Sequence, residues 1–569
     1  MKESVISQRF KSILGASTAA MGISYVLVLS ECIIAGQLLG EEAVAAIALV
    51  APLIPFLQFV GEMIASGTFA LISYARGKGD SAEADALFSQ AMILSVGAGL
   101  LLTVLLVAFR EQILSYWDVD ANLMEYASAY YAGVMVRPII AFVQLFLMPL
   151  LLIEGEERLD FISSVVQLIS GLVLEICLGQ IWGLFGISLA TTISLALAGT
   201  IEAGYLLSKH CQLHFCWHVS LAKVCEVFRL SFCFSLPSLL LTLLPFVITG
   251  YIIEHFDERF LVIFTMINTL LNLAVSLFYG IDDVIQAMVC IYLAEKNLAG
   301  VKKVMRLSFL AALAEGLAMG AILIAFGGQM PSLFGIDDPL LVPDAVLALR
   351  LYGIFTAFLL WEMTYAFYCT YIGEARASML FLFLALFAFP VLSIWLLGGM
   401  FGLGGIWAGL GAGALLTLPV NFLFVRWREK HGTGKGLLLL DSARLASQLS
   451  YDIKAVQEDV LGLVRQVEED LAAWGLPEAK YRKAAFFVEE LGMDTVERAA
   501  GNPLYLEVTL TKGEPLEIII RDNGECANII DENERVSSFR MFIVSQTASR
   551  LPYASFVLAG GENRTVLYV

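Results

Sequence analysis

Charge is scarce in this chain. Only 15% of its 569 residues are Asp, Glu, Lys or Arg, well below the roughly 25% of soluble domains. Basic residues are the scarcer sign, 35 against 53 acidic, for a net charge of −18. That balance argues against a nucleic-acid partner, which needs a basic face. Histidine is nearly missing: there are five, and none follows His431 to accept a phosphoryl group. The nine cysteines are scattered, several inside apolar runs, so no disulfide framework is expected. The opening residues are polar, with no short apolar run leading to a small-residue cleavage site, so they do not read as a cleavable signal.

Apolar residues fill the space left by charge. They make up 59% of the chain, the mean hydropathy is +0.79, and runs such as Ile93 to Phe109 carry no charge. A helix needs about 20 mostly apolar residues to cross a bilayer, where lipid cannot satisfy exposed backbone groups. Twelve such stretches are predicted, near 13–39, 43–75, 86–109, 125–154, 160–180, 183–208, 226–254, 260–294, 303–328, 342–372, 377–400 and 403–428. Spans 2 and 8 are longer than a bilayer requires. Basic residues gather in alternate loops: Lys2, Arg9 and Lys11; Arg76 and Lys78; Arg158; Lys209, Lys223 and Arg229; Lys296, Lys302, Lys303 and Arg306; Arg376; and Arg426, Arg428 and Lys430. Arg110 and Arg259 are isolated exceptions. The positive-inside rule then places both termini in the cytoplasm, in a multi-pass protein of the inner or plasma membrane.

The chain repeats itself. Gly183-Leu184-Phe185-Gly186-Ile187 opens span 6 and Gly402-Leu403-Gly404-Gly405-Ile406 opens span 12. Gly155-Glu156-Glu157-Arg158 ends span 4 as Gly373-Glu374-Ala375-Arg376 ends span 10, and Gly79-Asp80 corresponds to Lys296-Asn297. All three matches share an offset of about 218 residues. Six spans per repeat is an even number, so the halves run parallel about an axis along the membrane normal, the design of transporters that bind substrate between halves.

The run Glu31-Cys32-Ile33-Ile34-Ala35-Gly36-Gln37-Leu38-Leu39-Gly40 resembles the first-span signature of MATE (multidrug and toxic compound extrusion) transporters of the MOP superfamily. Ser66-Gly67 through Gly77-Lys78-Gly79-Asp80 resembles the end of that family's span 2. Gly280 to Asn297, with Ile285-Gln286, resembles the end of its span 8. The resemblance covers about residues 10–430. It implies an all-α membrane protein of two six-helix bundles, 1–215 and 216–432, around a central cavity. It also implies efflux of organic, often cationic or amphiphilic compounds against an inward H⁺ or Na⁺ flow. Glu31 stands where the family commonly has Asp, and Glu62 where it usually has a small apolar residue.

An ionisable group inside the bilayer costs on the order of 3 kcal/mol or more, so each needs a reason. Glu31 in span 1, Glu62 in span 2 and Glu362 in span 10 are candidates for ion or substrate binding. For Glu31 the competing reading is contact with water at the outer interface. For Glu62 and Glu362 it is a hydrogen bond to a neighbouring helix. Glu175 and Glu315, in peripheral spans, read as structural. Arg137, just before Pro138, pairs with a carboxylate across the cavity or reaches to the interface. Asn268 and Asn272 share one face of span 8, and Asp282 and Gln286 follow it toward the cytoplasm. Pro237 and Pro245 kink span 7. The Cys211 to His218 loop is spaced too tightly for an ordinary zinc knuckle. It reads as an interface segment anchored by Trp217.

After Gly436 charge density rises and no span follows. Leu445, Leu449, Val456, Val460, Leu463, Val467, Leu471 and Trp474 step by threes and fours, which predicts an amphipathic helical linker over 433–477. A helix over about 478–500 follows, then strands at about 504–511 and 516–521, a helix at about 537–549 and strands at about 553–558 and 564–569. This α/β domain, 478–569, resembles the GHKL ATPases of the anti-sigma-factor kinase branch. Phe487-Val488-Glu489-Glu490-Leu491-Gly492-Met493-Asp494 is similar to the first box, with Asp494 in place of the Mg²⁺-binding Asn. Arg521-Asp522-Asn523-Gly524 is similar to the adenine-contacting second box, without its second Gly. Ser537 to Met541, where a Gly-rich lid belongs, has no glycine, although Gly560-Gly561-Glu562-Asn563-Arg564 is kept. Phosphate cradling needs backbone amides brought close by glycines. The expected nucleotide residues Glu490, Asp494, Asp522 and Gly524 therefore belong to a degenerate, regulatory or partner-binding domain. No enzyme activity and no ATP or Mg²⁺ cofactor is expected. The competing readings are a flippase for lipid-linked precursors and a membrane-anchored GHKL signalling kinase.

Overall fold

A computed structural model describes the chain except residues 1–3, 51–52, 116–120, 209–210, 218–219, 257, 335, 337, 433, 500–502, 525–538, 552 and 560–561. Span 1 is Val5–Leu39. Span 2 is Leu53–Lys78, preceded by the short helix Glu41–Val50, and span 3 is Ser81–Ala108. Span 4 is interrupted: Ala121–Val134 stops and Arg137–Glu154 restarts with Pro138 in its first turn, where no amide donor is needed. Spans 5 and 6 lie within the 50-residue stretch Glu157–Leu206. Spans 7, 9, 10 and 12 are Leu221–His255, Leu298–Ala325, Val342–Tyr371 and Leu403–His431. Spans 8 and 11 each pass through a π-helical turn, Ile285–Val289 and Leu384–Ala388.

Eleven helices among the described residues are long and apolar enough to cross a membrane. One of them, Glu157–Leu206, folds back on itself at Gly183, so twelve crossings result. A Cβ at Gly186 would strike the carbonyl oxygen of Leu178, which places the two arms side by side. Span 11 turns into span 12 at Gly402 by the same route, with Gly405 against Leu397. The backbone angles are nearly equal: φ 61°, ψ −140° at Gly183 and φ 62°, ψ −139° at Gly402. Only glycine adopts that region freely. The other repeated turns agree as well. Gly155 and Gly373 both have φ 88°, while Gly79 and Lys296 have φ 77° and 59°. Asp80 and Asn297 then cap the next helices, each accepting a backbone N–H three residues on at 2.9 Å. The sequence repeat is therefore a repeat of backbone geometry.

The two halves meet near the ends that carry the C-terminal domain. The amide of Gly67 in span 2 donates to Ser231 Oγ in span 7 at 2.9 Å. A Cβ at Gly77 would lie 2.6 Å from that of Ala294 in span 8, and one at Gly280 would lie 2.8 Å from Thr18 Cα in span 1. Small residues allow such backbone approach. Toward the other end span 8 leaves a run of polar residues half-buried or exposed, Thr265, Thr269, Asn272, Ser276 and Tyr279, beside the apolar Val262, Leu273 and Leu277. A polar stripe facing lipid would be costly, so this face is turned to the cleft between the halves, where the Tyr25 hydroxyl of span 1 donates to the Thr269 carbonyl at 2.8 Å. The loop after span 6 lies on span 3, with the His214 amide donating to Asp85 at 2.8 Å and Trp217 exposed. His218 falls outside the described residues.

The C-terminal domain has five antiparallel strands: β1 Gln448–Lys454, β2 Tyr505–Thr511, β3 Glu517–Asp522, β4 Tyr553–Ala559 and β5 Glu562–Tyr568, in the order β1-β2-β3-β5-β4. Helices α1 Gln457–Ala473, α2 Glu478–Ala499 and α3 Phe539–Ala548 cover one face. Their core joins Val467, Leu471, Phe487 and Val488 to Leu506, Val508, Ile518 and Leu567. The helix expected over Leu445–Trp474 is corrected: its first part is strand β1. Leu449, Tyr451 and Ile453 alternate along β1 and pack on this core, and β1 pairs with β2 over its whole length. Seven residues of sheet pairing outweigh a pattern that fitted a helix only by skipping Tyr451 and Ile453.

Candidate functional site

Three of the buried polar clusters in the membrane region hold the residues the sequence singled out. The first lies inside the first half. Glu31, 4% exposed, faces Arg137 Nη2 at 3.5 Å and accepts from Thr191 Oγ1 at 3.4 Å. Arg137 also donates to the Ser188 carbonyl at 3.4 Å. Ser30 donates at 2.8 Å to Glu175, a fully buried carboxylate whose other oxygen has no partner. The Tyr130 side chain is buried beside Glu31. Of the two roles open to Arg137, the structure has the ion pair, within one half rather than across the cleft. Glu175, read from sequence as structural, belongs to this cluster. It reaches Glu31 through Ser30, the residue next to Glu31, a link that spacing between distant spans does not show.

The second cluster joins the halves at the closed base of the cleft. Glu62 accepts from Ser238 of span 7 at 2.8 Å and from Gln58, exposed one turn nearer the cleft mouth, at 3.2 Å. Tyr279 of span 8 lies 3.4 Å from Ser238. Below, Tyr371 of span 10 and Gln286 donate to Asp282 at 2.7 and 2.9 Å. Gln286 stands in the π-turn of span 8, which re-aims side chains within a helix. Asn272 donates to the Asn268 carbonyl one turn back at 2.9 Å, higher on the cleft side. Glu62, Asp282 and Gln286 are thus gathered near one base, whereas Ser238, Tyr279 and Tyr371 carried no sequence signal.

The third cluster is in the second half. Glu362 is fully buried and accepts from Asn421 of span 12 at 2.6 Å. Its second oxygen, the Tyr365 hydroxyl and the Trp407 indole nitrogen are buried without a partner. Asn421 also borders a groove of about 420 Å³ lined by Trp361, Tyr365, Phe422 and Arg426.

In the C-terminal domain, Asp494 and Asp522 are tied to one guanidinium. Arg498 donates to Asp494 at 2.8 Å and to both oxygens of Asp522 at 3.0 Å. Asn563 and the Gly524 amide add bonds to Asp522 at 2.9 Å. A Cβ at Gly524 would lie 2.6 Å from Arg498 Nη1. Burial pushes the Asp494 carboxyl above its ordinary range, with Arg498 opposing. Glu490 is half-buried one turn earlier on α2. A cation fixed between these acids does not fit Mg²⁺ or adenine at the same place. Residues 525–538, which include Ser537 and Ser538, lie outside the described residues.

Two pseudo-equivalent six-helix halves, buried acids in each and a polar-based cleft between them define a multi-pass membrane protein of transporter architecture. Residues 17–177 match the MatE family model, and the membrane region has the MATE fold. An outward-facing multidrug resistance MATE transporter of the MOP superfamily is 19% identical with a TM-score of 0.69, over 76% of this chain and 97% of that one. A MATE protein solved in complex with MaL6 gives the same figures. A MOP superfamily transporter from Pyrococcus furiosus, described as having a binding pocket of reversed polarity, is 19% identical with a TM-score of 0.69, over 75% of this chain and 97% of that one. No curated protein matches the chain.

Proposed function

We propose that this protein exports organic, cationic or amphiphilic compounds across the cytoplasmic membrane by alternating access. The export is coupled to H⁺ or Na⁺, with both termini in the cytoplasm and the C-terminal domain regulatory. The observation that carries the reading is the charge count of the cluster around Glu31. Glu31 and Glu175 share one cation, Arg137, in a water-poor bundle. Two acids with one base leave a surplus negative charge that a low dielectric does not tolerate. The cluster therefore takes up one proton or one monovalent cation, and gives it up when the bundle rearranges. The cleft base supports a cationic cargo, because the side chains that meet there are acids, amides and hydroxyls. Glu362 offers a comparable ion site in the second half. A flippase for lipid-linked anions would want basic groups at that base. A kinase would want the acids that Arg498 occupies to be open.

The test is ethidium export from proteoliposomes under an imposed H⁺ or Na⁺ gradient. Glu31→Gln and Glu175→Gln are each expected to lower coupled export at least tenfold while the protein folds and binds ethidium. Unchanged coupled export in both variants would refute the role of this cluster.

A further inference from the structure

The free face of the C-terminal sheet does not face water. It lies on the ends of spans 8 and 9 and on the start of span 1. Glu295, fully buried, pairs with Arg521 of β3 and lies 3.1 Å from Arg564 Nε of β5. Arg521 stacks 4.4 Å over the Tyr292 ring and lies 3.5 Å from Glu562. The Tyr292 hydroxyl donates to Glu507 at 3.1 Å, and Asn297 Nδ2 donates to Thr509 at 3.1 Å. Gln448 accepts from the Leu298 amide at 3.0 Å and donates to the Lys296 carbonyl at 2.8 Å. These are second-half contacts. The first half is held directly by Asn523, which donates to Gln8 at 2.9 Å, and indirectly through Lys303 of span 9, which pairs with Asp452 of β1 and donates to Ser4 at 2.8 Å.

We infer that the C-terminal domain is a clamp that holds the two halves together at their domain-side ends, and that it must release for the cleft to open there. The inference rests on the alternating-access reading. The segment it grips, Tyr292 to Leu298, directly continues the stretch of span 8 that closes on Gly77. Opening that side separates span 8 from spans 1 and 2, and a rigid sheet bonded to Gln8 of the first half and to Tyr292 and Glu295 of the second cannot follow both halves. Release is all-or-none. A buried ionic network is stable only when complete, so loss of one partner leaves charges stranded away from water. The clamp therefore biases the protein toward the state closed at this end, and a cytoplasmic factor that binds the sheet face once it is released would favour opening.

The test labels Ser231→Cys, at the closed contact of the two halves, with a membrane-impermeant maleimide in full-length protein, read peptide by peptide by mass spectrometry. Glu295→Gln is expected to raise labelling at this position at least fivefold. Because Glu295→Gln could perturb folding, a second construction keeps every clamp charge: Gln8→Cys with Asn523→Cys, joined by a short bifunctional crosslinker. Crosslinking is expected to abolish labelling of residue 231 and to stop ethidium export, and cleaving the crosslinker restores both. Labelling that ignores both Glu295→Gln and the crosslink overturns the clamp. A labelling response without export in any variant leaves the clamp standing and refutes the transport reading instead.

Discussion

Glu507 sits where the clamp meets the membrane region, and its surroundings set its proton. Facing it are Arg521 on β3, Glu562 on β5, Asp452 on β1 and Tyr292 at the end of span 8, with Glu295 on the far side of Arg521. Burial pushes its carboxyl up to about 8, with Arg521 opposing and Asp452 and Glu562 adding to the rise. The docked state therefore holds this proton more tightly than the undocked state. Docking is strongest below the ordinary value of 4.5 and weakens as pH rises from there through about 8. Hydrogen exchange in the peptide around Tyr292 and Glu295 is expected to speed up over that window, and Glu507→Gln to flatten the dependence. With Glu507 neutral, Glu295 and Glu562 balance Arg521 and Arg564 one for one. Arg498→Met strands Asp494 and Asp522 and is expected to cost about 2 kcal/mol in the C-terminal domain, read by its unfolding transition. The variant is expected to gain no Mg-ATP affinity by calorimetric titration, since the lid glycines are missing from the sequence. That Glu31, Glu62 and Glu362 must be engaged by partners was legible without coordinates, because a charge in a bilayer demands a reason. Glu175, Ser238, Tyr371 and Arg498 were not, because what makes them partners is a distance across the fold.

At the scale of the element, the repeated glycine turns carry the architecture. Gly183 and Gly402 occupy a positive-φ region that costs a residue with a side chain about 1–3 kcal/mol. Gly402→Ala is expected to lower the unfolding temperature in detergent. Gly399→Ala, where an added Cβ meets open space, is expected to leave that temperature level or raise it slightly. An equal drop in both would show that turn strain is not the cause. These turns were readable in the sequence as three matches at one offset. The identity of the turn conformation was not, although the glycines pointed to it. Strand β1 shows the opposite case: periodicity alone favoured a helix, and pairing with β2, more than fifty residues away in sequence, decided otherwise.

At the scale of the molecule, composition and charge asymmetry determined a twelve-span membrane protein, and the repeat determined two parallel halves with a cleft between them. These follow from local rules, since lipid tolerates neither exposed backbone nor unpaired charge, whatever the distant contacts. Which end of the cleft is closed, which acids share a cation, and where the C-terminal domain sits were decided only by the tertiary structure. Each depends on contacts between residues more than a hundred positions apart, such as Glu31 with Arg137 and Glu295 with Arg521. Sequence spacing carries no trace of such pairings when every candidate is merely an acid or a base in a chain with few of either. The placement of the C-terminal sheet shows this most clearly. Its eroded motifs pointed only to a regulatory or partner-binding domain, and the engagement of its buried Arg521 and Arg564 with Glu295 of the membrane region left no mark in the sequence.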